Sequence, residues 1–278
     1  MNIALYGTGR MGRAIEEAAL RRGHRIALKV GSANAGAPPT GCDVAIEFSR
    51  PAHAVDNIRL CVQAGVPVVV GTTGWYDHLP EVRELVAAGD GAVLWASNFS
   101  IGVNLFFRVN RLLAALMDGR SDYRVRLDEV HHVHKLDAPS GTALTLARDI
   151  DLHHAGYTGW SHAPAPAPAS SAEAFGEGMA PASSAEAFGE GMAPASSAEA
   201  FGEGMAPAPV PIHSERTGEV PGKHSVQWSS ADDRIVITHE AFGRSGFATG
   251  AVHAAEWLAD PVQRRRGLFT MDDVLGRP

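Results

Sequence analysis

Residues 128–146 concentrate the side chains that could carry out acid–base and anion-binding chemistry. The segment reads DEVHHVHKLDAPSGTALTL and places three histidines, His131, His132 and His134, directly before Lys135. A lysine ammonium attracts anions, and histidine exchanges protons near neutral pH. The sequence therefore predicts a site that binds a small anion and can transfer a proton to it.

A predicted strand and a predicted helix hold this segment. The alternating run at residues 123–129 has the two-residue period of a strand with one polar face. Ser140 is a favourable N-cap and Pro139 prevents an earlier start, so we expect a helix to follow. Unpaired N–H groups around Gly141 and Thr142 would then attract a carboxylate or a phosphate.

Two plainer explanations of the histidine cluster stay open. One is metal binding, but His131 and His132 would point to opposite faces of a strand. No cysteine or carboxylate stands nearby at a recognisable zinc spacing. The other is a solvated polar turn without a ligand. We expect no metal at this site.

The same segment resembles a known family. Residues 129–143 follow the pattern E-x-H-H-x-H-K-x-D-A-P-S-G-T-A, which is similar to the signature of the 4-hydroxy-tetrahydrodipicolinate (dihydrodipicolinate) reductases. The resemblance implies reduction of 4-hydroxy-tetrahydrodipicolinate, with loss of water, to tetrahydrodipicolinate in the diaminopimelate and lysine pathway. It also implies NADPH or NADH as the cofactor and a small dicarboxylate as the substrate.

The resemblance and the residue chemistry together suggest roles within this segment. Lys135 is the preferred catalytic acid because its ammonium can donate a proton, and His131 is the alternative donor. His132 is expected to bind a substrate carboxylate, whereas His134 is expected to be structural. The predicted substrate-binding residues are His132, Lys135, Ser140, Gly141 and Thr142.

The start of the chain predicts a dinucleotide site. A short apolar strand at residues 2–6 is followed by G-T-G-R-M-G at residues 7–12 and then by a helical pattern. A G-x-G-x-x-G turn between a strand and a helix lets the backbone approach a pyrophosphate. The plain alternative is a glycine-rich turn with no ligand. The residues assigned to the cofactor here are Gly7, Gly9, Arg10, Met11 and Gly12.

The second predicted strand, residues 25–30, lacks the acidic residue that usually holds the adenosine ribose of NAD. It offers Lys29, followed by Ser32 and Asn34. Lys29 could favour the 2′-phosphate of NADPH, or it could be an ordinary solvated residue at a strand end. We assign Lys29 to the cofactor and predict that NADPH is accepted at least as well as NADH.

Strands and helices alternate through residue 95, which predicts a parallel, doubly wound sheet. Three later segments resemble the reductase family: G-T-T-G at residues 71–74, N-F-S-x-G-V-N at residues 98–104 and R-x-x-F-A-x-G-A at residues 244–251. The resemblance implies that the first two lie beside the nicotinamide. The further predicted cofactor residues are Gly71, Thr72, Thr73, Ser97, Asn98, Phe99, Arg244 and Phe247.

The predicted fold class is α/β, with a Rossmann-type doubly wound parallel sheet and an α+β substrate domain that has a mixed or antiparallel sheet. We assign residues 1–101 and 242–278 to dinucleotide binding, and residues 102–241 to substrate binding and oligomerisation. The second domain contains a low-complexity insertion, residues 163–209. Residues 169–207 are three identical copies of ASSAEAFGEGMAP, which has too few large apolar residues to offset its ordering entropy. We expect a flexible insertion, with a partner-binding arm as the alternative.

Composition excludes several other classes. The net charge of −7 argues against a nucleic-acid partner or an anionic membrane surface. No apolar run reaches membrane length, and no signal peptide is expected at the N-terminus. The two cysteines, Cys42 and Cys61, indicate no disulfide framework and favour a reduced cytoplasmic compartment. The family resemblance implies a homotetramer.

Two other functions stay open at this point. The first is another NAD(P)-dependent oxidoreductase, such as an amino-acid dehydrogenase with the same nucleotide domain, although the H-H-x-H-K run disfavours it. The second is a non-catalytic binding protein that keeps the fold to carry its repeats, although the intact Lys135 and Gly141 count against it.

Overall fold

A computed structural model describes residues 1–163 and 206–276 of the 278-residue chain. Residues 164–205, which hold nearly all of the repeats, lie outside the described residues, so the flexible insertion stays a prediction. The chain divides into two compact units. The first is Met1–Asn110 with Glu219–Lys223 and Thr238–Pro278, and the second is Arg111–Gly218 with His224–Ile237. The functional domain limits at residues 101 and 241 also stay a prediction.

The described residues form strands and helices that alternate through most of the chain. In chain order they are β1 (Asn2–Tyr6), α1 (Arg10–Arg21), β2 (Arg25–Val30), β3 (Val44–Glu47), α2 (Pro51–Gln63), β4 (Val68–Val70), α3 (Leu79–Ala88), β5 (Ala92–Trp95), α4 (Ile101–Met117), β6 (Arg124–His131), α5 (Gly141–His153), β7 (Tyr157–His162), β8 (Ala208–Arg216), β9 (Lys223–Ser229), β10 (Arg234–Glu240), α6 (Ser245–Leu258), β11 (Gly267–Phe269) and α7 (Met271–Val274). Among these residues no helix is long and apolar enough to cross a membrane.

Six parallel strands form the first sheet, in the order β11–β5–β4–β3–β1–β2. Every residue of β3 and β4 is buried, as expected for parallel strands that lie between two layers of helices. Side chains of α1 and α6 join the core on one face, and side chains of α2 and α3 join the core on the other. The doubly wound parallel sheet predicted from the sequence is confirmed.

Five strands form the second sheet, in the order β10–β9–β6–β8–β7. Both β6 and β7 pair with β8 in parallel. The turn between β9 and β10 is too short for a parallel crossover, so these neighbours run antiparallel. The predicted mixed sheet is therefore confirmed. The sequence pattern does not predict β7, because most of its residues are exposed and show no alternation.

Burial alternates strictly along β6, the central strand of this sheet. Val125, Leu127, Glu129 and His131 are buried, and the residues between them are half-buried. A carboxylate and an imidazole thus occupy the apolar face of the strand. Buried polar groups of this kind are costly unless they are paired, so their partners identify the functional part of this unit.

Candidate functional site

The glycine-rich loop between β1 and α1 has the geometry of a phosphate cradle. A Cβ on Gly7 would lie 2.1 Å from the carbonyl oxygen of Phe48, and one on Gly12 would lie 2.0 Å from the carbonyl oxygen of Gly7. Gly9 is the N-cap of α1, and no atom lies within 4 Å of the position that its Cβ would take. The helix N-terminus therefore has open space beside its free N–H groups, which fits a pyrophosphate.

Residues beside this loop bear on the choice of nucleotide. Arg10 begins α1 and is exposed, whereas Met11 is half-buried against the core. Lys29 at the end of β2 pairs with Glu16, with 2.5 Å between Lys29 Nζ and Glu16 Oε1. The Asn34 amide donates to the Lys29 carbonyl oxygen at 2.9 Å and accepts a backbone N–H of the same turn at 2.8 Å. Asn34 thus holds the turn in shape, and Lys29 is partly neutralised by Glu16.

The carboxyl ends of β3, β4 and β5 meet at one closely packed edge. A Cβ on Gly71 would lie 2.1 Å from the ring of Phe48, and one on Gly250 would lie 1.8 Å from the carbonyl oxygen of Phe99. The rings of Phe48 and Phe99 lie with their centroids 5.6 Å apart. Open α/β sheets bind ligands at this edge, so the structure brings the two segments predicted to lie beside the nicotinamide to a suitable position.

A buried glutamate that the sequence reasoning did not assign organises this edge. Glu47 is fully buried, and its Oε1 accepts from the Ser49 N–H at 3.1 Å, from Asn57 Nδ2 at 3.3 Å and from the Ser49 hydroxyl. The Ser49 N–H also lies 2.8 Å from Thr72 Oγ1. Glu47 thus fixes the loops that follow β3 and β4. Its sequence signal is a glutamate that ends an otherwise apolar strand, V-A-I-E.

The remaining predicted cofactor residues are distributed around the first unit. Thr73 and Ser97 are exposed after β4 and β5, and the Asn98 Oδ1 accepts the Ser100 N–H at 2.9 Å. Arg244 is the exposed N-cap of α6, and Phe247 is half-buried in its first turn. These positions leave their individual roles as predictions.

Glu129 is the centre of the polar cluster in the second unit. Its carboxylate is fully buried, and both oxygens lie 3.1 Å from the N–H of Ser140. Oε1 also accepts from Arg216 at 2.9 Å, and Oε2 lies 3.5 Å from Nε2 of both His131 and His224. Burial alone would raise the pKa of Glu129, but hydrogen bonds from these four partners hold it well below its usual range. The carboxylate is therefore ionised at neutral pH.

The start of α5, which follows this cluster in the chain, has features that suit an anion. Ser140 is the N-cap, as predicted, and its Oγ accepts the Ala143 N–H at 3.2 Å. Gly141 is exposed and Thr142 is half-buried. Their N–H groups belong to the first turn, where a helix offers them no internal partner. Because Glu129 binds the Ser140 N–H, the helix start is fastened directly to β6.

Lys135 lies in the loop between β6 and α5 and is held by an acidic neighbour. Its Nζ lies 2.7 and 2.8 Å from the two carboxylate oxygens of Asp137. Burial would raise the pKa of Asp137, but the hydrogen bonds and charge of Lys135 lower it overall. Arg216 donates to the Asp137 carbonyl oxygen at 2.6 Å and to Glu129. Arg216 thus fastens the loop that carries Lys135 to the end of β6.

The three clustered histidines occupy different environments. His131 ends β6 and is buried with its Nε2 directed at Glu129 and His224. His132 is half-buried, and its Nδ1 is a buried atom without a hydrogen-bond partner among the described residues. Its ring lies 6.1 Å from that of His134, which is exposed. Because this unpaired nitrogen is closed to solvent, the contact of His132 with a substrate stays a prediction.

The cluster also raises the question of a metal, which the sequence led us not to expect. Glu129, His131 and His224 offer three possible ligand atoms within 4.8 Å of one another. The guanidinium of Arg216, however, lies 2.9 Å from the same carboxylate. A cation bound there would be repelled by this charge, because like charges at such short range interact unfavourably. The geometry therefore favours a hydrogen-bonded cluster.

Comparison with known proteins identifies the family of the chain that carries these two sites. A family model described as "Dihydrodipicolinate reductase, N-terminus" matches residues 1–99, and one described as "Dihydrodipicolinate reductase, C-terminus" matches residues 102–275. The chain belongs to the dihydrodipicolinate reductase family. A relative named 4-hydroxy-tetrahydrodipicolinate reductase from Christiangramia forsetii is 41% identical over 277 residues, which are 99% of this chain and 98% of the relative. One of the same name from Chromobacterium violaceum is 33% identical over 300 residues, with 99% and 98% covered.

Solved structures agree on the fold. A structure described as dipicolinate-bound dihydrodipicolinate reductase from Paenisporosarcina sp. TG-14 has a TM-score of 0.65 and 20% identity over 97% of both chains. A probable dehydrogenase from Thermotoga maritima has a TM-score of 0.51 and 10% identity, with 99% and 92% covered. At such identities the likeness concerns the fold alone. Membership in the dihydrodipicolinate reductase family, with the nucleotide-binding sheet, implies a nicotinamide cofactor, which the glycine loop fits.

Sequence reasoning did not assign four polar residues of the second unit: Glu129, Asp137, Arg216 and His224. Two of them carry a recognisable signal. Glu129 stands on the apolar face of an alternating strand, and His224 begins the alternating run of β9. Arg216 and Asp137 stand in loops or at a strand end, where spacing gives no indication of their partners.

Proposed function

We propose that this chain reduces 4-hydroxy-tetrahydrodipicolinate to tetrahydrodipicolinate, with loss of water, at the expense of a nicotinamide nucleotide in diaminopimelate and lysine biosynthesis. The observation that carries the proposal is that one segment of a dihydrodipicolinate reductase chain holds both the Lys135 ammonium and, six residues later, the N-terminus of α5. A dicarboxylate needs two positive sites, and these residues offer a cation and a helix dipole.

Residues of α5 bind the substrate in this proposal. One carboxylate accepts the N–H groups of Gly141 and Thr142 and the Thr142 hydroxyl, while His132 contacts the same group. Ser140 keeps its hydroxyl on Ala143 and its N–H on Glu129, so its role is to hold the helix start in position. These contacts are equal in the ground and transition states, and they therefore set substrate affinity more than turnover.

Lys135 supplies the proton in this proposal. A nicotinamide nucleotide, when bound, would supply a hydride to the substrate ring, and a proton would be needed as the hydroxyl group leaves as water. The Lys135 ammonium is held by Asp137 at 2.7 and 2.8 Å, and a substrate carboxylate competes with Asp137 for it. His131 is the second donor, but its Nε2 is already directed into the buried cluster around Glu129. Lys135 is thus the better-placed acid.

Lys29 bears on the choice of nucleotide. We propose that NADPH is accepted at least as well as NADH, because no carboxylate at the end of β2 repels a 2′-phosphate. The ion pair between Lys29 and Glu16 weakens this preference, since Glu16 already satisfies part of the lysine charge. NADH is therefore expected to be used as well.

The test is a coupled assay. The upstream synthase converts pyruvate and aspartate semialdehyde to the substrate, and oxidation of NADPH or NADH is followed with this chain added. Lys135→Ala should lower kcat by roughly 10²-fold or more, as expected for a lost general acid. Asp137→Asn is the matched control, because it keeps the Lys135 ammonium and removes only the carboxylate that competes with the substrate for that ammonium. Absence of turnover by the wild type, or wild-type turnover by Lys135→Ala, contradicts the proposal.

We also propose a cytoplasmic homotetramer joined through the second sheet. Trp160 on β7 and Ile235 and Val236 on β10 are large apolar side chains left exposed on the two edge strands of this sheet, and exposed sheet edges are sites where another chain can pair. Both cysteines are free thiols, in keeping with a reduced compartment. Light scattering on Ile235→Lys should show a smaller mass, while Leu20→Lys, at an exposed position of α1, should not.

A further inference from the structure

His224 is a buried residue to which the proposed reaction assigns no role. It lies on β9, and its Nε2 lies 3.3 Å from Nε2 of His131, 3.5 Å from Oε2 of Glu129 and 3.0 Å from Oγ of Ser140. The same Glu129 oxygen lies 3.5 Å from Nε2 of His131. Two imidazole nitrogens and one carboxylate oxygen thus form a nearly equilateral triangle.

The carboxylate decides where the histidine protons lie in this triangle. An ionised carboxylate only accepts hydrogen bonds, so Glu129 favours a hydrogen on each Nε2 that faces it over an arrangement in which one Nε2 accepts from the other. A second argument applies to His224, whose Nδ1 is buried without a partner among the described residues. A hydrogen on Nδ1 would be an unsatisfied buried donor, and such donors are rare. His224 is therefore the Nε2–H tautomer.

His224 also stays neutral. Burial lowers its pKa first of all, the hydrogen bond and charge of Glu129 partly offset this, and the charges of His131 and Lys135 lower it further. His131 faces His224 from β6, and Lys135 lies in the loop before α5. Two further polar groups face the same cluster: the neutral Ser140 at the N-cap of α5, and Arg216 of β8 on the far oxygen of Glu129. His224 is thus a neutral hydrogen-bond donor of fixed direction.

His131 differs from His224 at Nδ1. The buried nitrogens that lack a partner among the described residues include Nδ1 of His224 and of His132 but no nitrogen of His131. With Nε2 of His131 held by Glu129, its second ring nitrogen is the one left to exchange a proton. The buried triangle therefore restricts the chemistry of His131 to one atom.

We propose that His224 is a positioning residue that, together with Glu129, holds His131 in the Nε2–H tautomer, so that His131 exchanges protons through Nδ1 alone. This inference rests on the proposed function insofar as His131 takes part in proton transfer. His224 contacts no substrate in this scheme. It fills the position beside the Glu129 oxygen with a neutral donor, and so sets how strongly that carboxylate acts on His131.

A direct test is nitrogen NMR of the full-length chain labelled with ¹⁵N-histidine. The two nitrogens of a neutral imidazole give different shifts when one carries the proton and the other does not. We expect His131 and His224 both to show the Nε2–H pattern, assigned with His131→Gln and His224→Gln. A neutral His131 in the Nδ1–H form overturns the inference. This readout needs no substrate, so it is independent of whether the coupled assay shows turnover.

Two variants of His224 separate positioning from packing. His224→Leu removes the donor at similar volume, and kcat/KM should fall on the order of tenfold, a fraction of what proton transfer itself contributes. In the nitrogen spectrum, His131 should become a mixture of its two neutral tautomers, because Glu129 alone then holds the ring. His224→Gln retains an N–H donor and should restore both the activity and the His131 pattern to near the wild type.

The matched control is His154→Leu. His154 is buried in the same unit and stacks on Trp228, with 5.2 Å between ring centroids, away from the Glu129 cluster. It should lower the melting temperature without changing the nitrogen pattern of His131. An unchanged His131 pattern in His224→Leu, or a pattern in His224→Gln changed as far as in His224→Leu, overturns the inference. So does stoichiometric Zn²⁺ binding that raises activity and shifts both histidine signals, because the triangle would then be a metal centre.

Discussion

Replacing Glu129 by glutamine tests whether the second unit depends on a buried charge. Glutamine keeps the shape of the side chain, but its NH₂ group cannot accept the hydrogens of His131 and His224, and it leaves the Arg216 guanidinium without its counter-charge. Breaking a buried ion pair by removing one partner costs about 3–5 kcal/mol. We therefore expect Glu129→Gln to lower the free energy of unfolding at pH 7 by about this amount.

The pH dependence of this loss is a more specific expectation. The pKa of Glu129 is lower in the folded chain than in the unfolded chain, where it is about 4.3. Its stabilising contribution is thus complete above the unfolded value and is lost as the pH falls below it. The difference in unfolding free energy between the wild type and Glu129→Gln should stay constant from pH 8 to about pH 5 and shrink at lower pH.

Urea unfolding followed by tryptophan fluorescence between pH 4 and pH 8 gives this difference. The control is Glu256→Gln in the first unit, where the carboxylate accepts from Arg22 at 2.8 and 2.6 Å and from His24. The hydrogen bond from Arg22 is the main reason that the pKa of Glu256 falls to about 2. Because Glu256 is partly exposed, its loss should cost only about 1 kcal/mol. A loss under about 1 kcal/mol for Glu129→Gln, unchanged at pH 4, would refute the reasoning.

Three further outcomes are expected. Thr142→Val should raise the substrate KM with little change in kcat in the coupled assay, because it removes a carboxylate contact made throughout the reaction; a pure kcat defect would contradict this. Lys29→Glu should shift kcat/KM toward NADH, and Glu16→Gln, which frees Lys29, should shift it toward NADPH; a wild type tenfold better with NADH would count against both. Deleting residues 169–207 should change stability by about 1 kcal/mol or less, since loop closure depends only logarithmically on length; a loss of several degrees in Tm or a changed oligomer mass would oppose it.

Much of the first unit follows from local sequence pattern. The helix predicted from about residue 13 begins three residues earlier, at Arg10, because Gly9 serves as N-cap and Gly12 packs inside the first turn against the loop. Strand β11 could not be predicted from the sequence pattern, because it has only three residues and pairs with β5, which is far away in the chain. The role of Glu47 could not be predicted because its partner Asn57 comes from another element, α2.

The second unit shows why the polar cluster around Glu129 could be only partly predicted. The motif at residues 129–143 fixes the order of Glu129, His131, Lys135 and Ser140, but order does not say which of them touch. The parallel register of β6 with β8 brings His131 opposite Arg216, and β9 on the other side of β6 brings His224 into contact. Both additions come from strands more than 80 residues further along the chain.

The parallel pairing of β7 with β8 limits how far the insertion between them can be shortened. Tyr157 pairs with Ala208 and His162 with Ile212, so the connection has to return along the length of β7 before β8 begins. Deleting residues 169–207 leaves residues 163–168, which can span roughly 20 Å when extended. The return path along five residues of strand is roughly 17 Å, so the full deletion is feasible but leaves little slack. Retaining one copy of the repeat removes that constraint. If the full deletion destabilises the chain while the one-copy chain does not, the cause is this return path, and the repeats themselves contribute no packing.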